Sequence, residues 1–135
     1  MSDAPLLDTH IWLWWLLGDP SLSKSERDAL DALPADDRPF LCDISLWEAA
    51  LLVANGRLEL DMDLQDFLET ATSPATVQLV RITPSIVLEM NRLPDTFHRD
   101  PADRLILSTA RAQGLTLATK DARIRKSRLA RIWKI

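Results

Sequence analysis

The stretch Ala4-Pro5-Leu6-Leu7-Asp8-Thr9-His10-Ile11-Trp12-Leu13-Trp14-Trp15-Leu16-Leu17-Gly18 carries the first decision about the fold. Residues 4–7 form a short apolar run that stops at a carboxylate, the profile of a buried strand. From Thr9 to Leu17 the pattern turns helical, and Gly18 stands where a helix takes a left-handed residue just past its end. A strand that passes straight into a helix is the first piece of an alternating α/β chain.

The alternation continues. Ser23-Lys24-Ser25-Glu26 has the S-x-x-E form of a capping box and predicts a helix from Lys24 to about Leu33, ended by Pro34. Residues 39–44 read as a second strand. Ser45-Leu46-Trp47-Glu48 reads as another capping box, opening a helix that closes at Asn55-Gly56. Residues 63–72 predict a further helix and 77–82 a third strand. Thr83-Pro84 supplies an N-cap with proline at the first helical position, and Asp100-Pro101 repeats the device for a helix that closes at Gly114. Residues 115–119 predict a fourth strand, followed by a short basic helix and a final strand over 131–135. Strands alternating with helices imply a parallel sheet covered on both faces. The expected fold is a three-layer α/β/α sandwich with a central parallel sheet of four to five strands, in one domain spanning 1–135.

Composition removes several chemistries. The chain has 135 residues, 47% hydrophobic and 27% charged. Its one cysteine, Cys42, allows neither an internal disulfide nor a thiolate zinc cluster. Gly18, Gly56 and Gly114 are too scattered for a dinucleotide fingerprint or a P-loop. The longest apolar run, 11–17, spans no membrane, and no basic stretch precedes it as in a secretory signal. The chain reads as a soluble cytoplasmic protein. Its net charge of −4 is uneven: residues 1–119 carry 19 acids and 9 bases, while residues 120–135 carry 7 bases and one acid. That is −10 on the body and +6 on the tail, so the tail is a candidate polyanion contact or a solvated helix face.

Ligands of open parallel sheets bind beyond the carboxyl ends of the strands. Four chain segments deliver acids there: Asp8 after the first strand, Glu48 after the second, Asp103 in the first turn of the Asp100 helix, and Asp121 after the fourth. Gathered closely, such carboxylates repel and raise one another's pKa, and a hard divalent cation relieves the repulsion. Each acid also has a local explanation. Glu48 can close a capping box, Asp100 is the expected N-cap of its helix, Asp103 complements a helix dipole, and Asp121 can cap the short helix after it. Asp8 resists such an account, because a carboxylate straight after an apolar strand is costly to bury without a partner.

The stretches LLDTHIWLWWL (6–16), ISLWEAAL (44–51), LPDTFHRDPADRLILSTA (93–110) and LTLATKDARI (115–124) resemble the PIN-domain family, and within it the VapC-type toxins of toxin–antitoxin pairs. The resemblance implies a Mg2+ or Mn2+ site, endoribonuclease activity leaving 3′-hydroxyl and 5′-phosphate ends, and inhibition by a cognate VapB-like antitoxin. Carried over by position, the catalytic and metal-binding acids are Asp8, Glu48, Asp103 and Asp121. Thr119 matches the family's small hydroxyl residue, and Thr9 is a second candidate for that role. Arg99, Arg104, Lys120 and Arg123 lie where they can contact phosphate, and Arg104 can equally pair with a neighbouring acid. His98 reads as a loop hydrogen-bonding residue rather than a base. The chain departs from related sequences at Leu52, where a lysine is expected.

Trp12, Trp14 and Trp15 crowd one helix and Trp47 begins another. Trp12 and Trp15 share a face by i,i+3 spacing. Such a face serves either as core or as a groove for an amphipathic partner helix, and Trp12, Trp15 and Trp47 are the candidate antitoxin contacts. A homodimer is expected. Two functions follow: a metal-dependent endoribonuclease, or a catalytically inactive module that keeps the fold and acts only through an antitoxin complex. A phosphoacceptor role fails because no second acid accompanies Asp8, and His10 stands where a dehalogenase-like phosphatase needs one.

Overall fold

Leu6 and Leu7, at the centre of the opening stretch, face opposite ways and define two cores. A computed structural model describes residues 3–134. Strand β1 (Leu6–Leu7) is parallel to both β2 (Phe40–Cys42) and β4 (Leu117–Ala118), and β2 is parallel to β3 (Gln78–Val80). The sheet order is β3-β2-β1-β4. Leu7 is in register with Leu41 and Ala118, and Leu6 with Leu117. Because strand side chains alternate with period two, Leu7, Leu41 and Ala118 enter one buried cluster, while Leu6, Cys42 and Leu117 enter the other.

The helices cover both faces. The first cluster takes Trp12 and Leu13 from α1 (Thr9–Leu17), Leu30 from α2 (Lys24–Asp31), Ala49 from α3 (Ile44–Ala54) and Phe67 from α4 (Leu64–Ala71). The second takes Ile106 and Leu107 from α6 (Pro101–Gln113) and Ile124 from α7 (Ala122–Ser127). Helix α5 (Pro84–Asn91) lies against α6. This is the three-layer α/β/α arrangement expected. No helix among the described residues is long and apolar enough to cross a membrane.

Most of the punctuation behaves as its chemistry requires. Ser23 and Glu26 form a reciprocal capping box, and Gly18 and Gly114 end α1 and α6 at φ 67°. Three expectations fail. The capping box at Ser45 does not form: Asp43 donates its N–H to the Val80 carbonyl at 3.0 Å, is already helical in φ and ψ, and leads into α3 two residues early. Ser45 and Glu48 are thereby released to face α1. The final strand reduces to one bridge, Leu117 to Ile132, with Ile135 outside the described residues. Trp12 is no partner contact. It is fully buried, and its indole N–H donates to the Ala71 carbonyl at 3.1 Å. Trp15 is half-buried, donating to Asp31 at 2.9 Å with Arg38 stacked over its ring. Trp47 remains open to solvent, 54% exposed.

Candidate metal centre

Strand β1 stands where the chain direction across the sheet reverses, between β2 and β4, which is where open α/β sheets form their crevice. Asp8 leaves β1 at that point and caps α1. Its Oδ1 accepts from the Thr9 N–H at 2.8 Å, and its Oδ2 accepts from the Thr119 hydroxyl at 2.7 Å. Only 5% of Asp8 is exposed. Burial pushes its carboxyl pKa up, and the bond from Thr119 offsets part of that rise.

Thr9 links two acids. Its N–H holds Asp8, and its hydroxyl donates to Glu48 and shares a 2.8 Å contact with Ser45. Glu48 is raised above the ordinary carboxyl range by burial and then by the charges of Asp8 and Asp100. The hydroxyl on Thr9, a second candidate in the sequence, thus orients Glu48 directly. Ser45, fully buried, was concealed in the sequence by its resemblance to a helix cap.

Asp103 is set by its own helix. Asp100 caps α6 by accepting from the N–H groups of Ala102 and Asp103 at 3.0 and 3.1 Å, which fixes Asp103 in the first turn. Asp103 has its pKa raised to about 7, by burial first and then by the charges of Asp8, Asp100, Glu48 and Asp121. Asp121 caps α7 and receives the Thr119 oxygen against its own N–H at 3.1 Å. Partial burial raises its pKa, but hydrogen bonds from Arg123 and from the α7 backbone outweigh that and hold it low.

Asp8, Glu48, Asp100, Asp103 and Asp121 line one cleft of ≈340 Å³, with Lys120 and Arg123 as its cations. Arg123 lies 3.3 Å from Asp121 and 3.8 Å from Asp103. Lys120 donates to Glu26 at 2.7 Å and to the Ser21 carbonyl at 2.8 Å, so it walls the cleft. Arg99 is exposed one residue before the α6 cap. Arg104 does not reach the cleft in the way foreseen: its guanidinium faces the carbonyls of Phe97 and His98 at 3.3 and 3.4 Å and ties down that loop. His98 is not the loop hydrogen-bonder expected. Its Nε2 is buried without an aligned hydrogen-bond partner, 3.3 Å from Asp103 Oδ2. Nothing in its spacing signalled this, because the loop of 94–99 has no period to read. Leu52, at the expected lysine position, packs against the core beside α1.

The donor set fits a divalent cation. The ligand atoms of His98, Asp103 and Asp121 lie within 4.8 Å of one another. The mutual repulsion at Asp103 is the feature a bound cation relieves, and a mainly carboxylate set suits a hard ion.

Comparison with known proteins gives the family and the fold. The family model described as PIN domain matches residues 6–128. The chain is 36% identical over 123 residues to Ribonuclease VapC22 of Mycobacterium tuberculosis (strain ATCC 25618 / H37Rv), covering 91% of each. Among solved structures, the complex FitAB bound to IR36 DNA fragment superposes with a TM-score of 0.70 at 21% identity, covering 96% of each chain. VapBC2 from Rickettsia felis, bound to a DNA fragment from its promoter, gives 0.66 at 17% identity, covering 94% of this chain and 95% of that one. A toxin–antitoxin complex from Klebsiella pneumoniae gives 0.61 at 20%, covering 87% of each. These structural likenesses speak to the fold.

Proposed function

The chain belongs to the PIN-domain family, and on that premise we propose that it is a Mg2+- or Mn2+-dependent endoribonuclease, the toxin of a toxin–antitoxin pair. The observation that carries the reading is the meeting of Asp8, Glu48, Asp103 and Asp121, from four separate segments, on one cleft at the carboxyl edge of the sheet. The 36% identity to a protein named as a ribonuclease supports the substrate class.

These four acids would hold the ion, with His98 joining Asp103 and Asp121, whose ligand atoms lie within 4.8 Å of one another. When bound, it supplies a positive charge that stabilises a phosphodiester under attack and acidifies water at the site. The chain's own contribution is placement. Thr119 and Thr9 fix both oxygens of Asp8, and Thr9 fixes Glu48, so neither carboxylate must reorganise on binding. Asp103, crowded by the other acids when no ion is bound, is the carboxylate whose charge the ion relieves most. Arg123 presents a guanidinium at the mouth, where it can accept a phosphate in place of Asp121.

An antitoxin helix would dock beside this cleft. A groove of ≈450 Å³ between α1 and α3 is lined by Leu13, Trp14, Leu17, Leu51 and Leu52 and shares Glu48 and Asp100 with the acid site. It fits the apolar face of a helix better than the Trp12–Trp15 face does. Leu79, Val87 and Leu88 are exposed apolar side chains on β3 and α5 that a homodimer would cover.

Mapping RNA 5′ ends in cells after inducing this chain alone tests the activity. New ends are expected from the wild type and none from Asp8→Asn, which keeps the fold. Full cleavage by folded Asp8→Asn would falsify the assignment. No new ends from soluble wild-type protein would favour the inactive binding module, which calorimetric titration with Mn2+ also separates.

A further inference from the structure

A second cleft, of ≈610 Å³, lies across Lys120 from the acids and shares Ile11 and Lys120 with their cleft. Its character is the reverse. Lys120, Arg125 and Lys134 line it against a single carboxylate, Glu26, which Lys120 already engages at 2.7 Å. The hydroxyl residue Ser25 lies on its α2 side and the indole of Trp133 on its tail side.

These groups are held in place. Arg125 donates to the Thr119 carbonyl at 2.9 Å, within the segment that also supplies the Asp8 hydrogen bond. Residues 131–133 run beside β4: Leu117 donates to the Arg131 carbonyl at 2.8 Å, and Trp133 donates back to the Leu117 carbonyl at 2.9 Å. Trp133 is therefore only partly buried, with one side against the core and the rest lining the cleft. A rigid indole among cations is the composition that binds single-stranded nucleic acid: the ring stacks a base and the cations neutralise phosphates. With no ion bound, the acid cleft sets five carboxylates against two cations and repels a phosphodiester. A bound ion and Arg123 engage only the phosphate under attack, so grip on the rest of the strand comes from outside that cleft.

We propose that this cleft is the track that holds single-stranded RNA next to the acid site, with Trp133 stacking a base and Lys134, Arg125 and Lys120 contacting the backbone. The proposal rests on the ribonuclease reading and assigns its substrate grip to the tail rather than to the residues around Asp103.

The test uses full-length protein carrying Asp8→Asn, so that RNA is bound and not cut. A labelled single-stranded RNA 12-mer of mixed sequence is titrated by fluorescence anisotropy at several salt concentrations. Lys134→Gln should weaken binding several-fold and flatten the log–log salt slope by about 0.7, one phosphate contact. Trp133→Leu should weaken binding about 5- to 100-fold and leave the slope unchanged, and Trp133→Phe should restore most of the loss. Should Trp133→Leu fail to fold, Lys134→Gln and Ser25→Glu, both at exposed positions, decide the matter by affinity and slope. Unaltered affinity and slope in the folded variants overturns the track and leaves the ribonuclease reading to the 5′-end mapping. Absence of RNA binding in the Asp8→Asn protein, together with absence of cleavage by the wild type, overturns both.

Discussion

Thr119 donates its hydroxyl to Asp8 Oδ2 at 2.7 Å, joining residues 111 positions apart. The same oxygen accepts the N–H of Asp121 at 3.1 Å. One side chain thus sets the geometry of the acids that follow β1 and β4. Thr119→Val keeps the shape and removes both bonds. It should lower stability by about 1–3 kcal/mol, because Asp8 stays buried with an oxygen unpartnered. It should also weaken Mn2+ binding by about 10- to 100-fold. Chemical denaturation and calorimetric titration check the two effects, and unchanged Mn2+ affinity would remove Thr119 from the site.

Asp103 is held among like charges, and in metal-free protein that is a liability. Asp103→Asn should therefore stabilise the chelator-treated protein at pH 8 by on the order of 1 kcal/mol. The same substitution should abolish RNA cleavage and the stabilisation that Mn2+ gives the wild type. A melting temperature in chelator that falls on substitution would contradict the repulsion argument.

The pH dependence of the metal-free protein follows from the same group. Asp103 has a pKa of about 7 in the folded state against the ordinary 3.8, and those of Asp8 and Glu48 are also raised. Between about pH 4 and 7 the folded state binds more protons than the unfolded state. Stability contributed by these groups is complete below the unfolded-state value and is lost as pH rises through the folded-state value. In chelator, the melting temperature should fall from pH 5 to pH 7.5, and saturating Mn2+ should reduce that fall. Asp121, held low by Arg123 after burial is offset, acts in the opposite sense only in more acid solution. A flat or rising profile in chelator would show that the acids are not crowded.

The tryptophans divide by burial. Trp12 is fully buried, hydrogen-bonded to Ala71, with its ring 6.0 Å from that of Phe67. Trp12→Ala should cost about 3–5 kcal/mol. Trp47→Ala, at a position 54% exposed, should change stability by no more than about 0.5 kcal/mol. Urea denaturation of the two variants distinguishes them, and equal losses would refute the division.

Much of this was legible in the order of residues. The run at Leu6–Leu7, the proline-started helices at Pro84 and Pro101 and the glycine stops at Gly18 and Gly114 are local signals, and local backbone chemistry enforces them. Asp8, Asp103 and Asp121 could be placed because a strand end or a helix start fixes a residue's position without knowledge of its neighbours. The tertiary structure decided what depends on long-range contact. Ser45 and Glu48 carry the pattern of a cap, but the sheet pairing of Asp43 with Val80 starts α3 early, and Thr9 takes both side chains. Trp12 and Trp15 share a helical face by spacing, yet only the packing of Phe67 and Ala71 makes Trp12 core. The sequence alone determined which acids exist and which strand ends carry them. Their shifted pKa values and the hydroxyls that hold them arise only on folding, because desolvation, Coulomb repulsion and hydrogen bonding depend on distances that chain order does not contain.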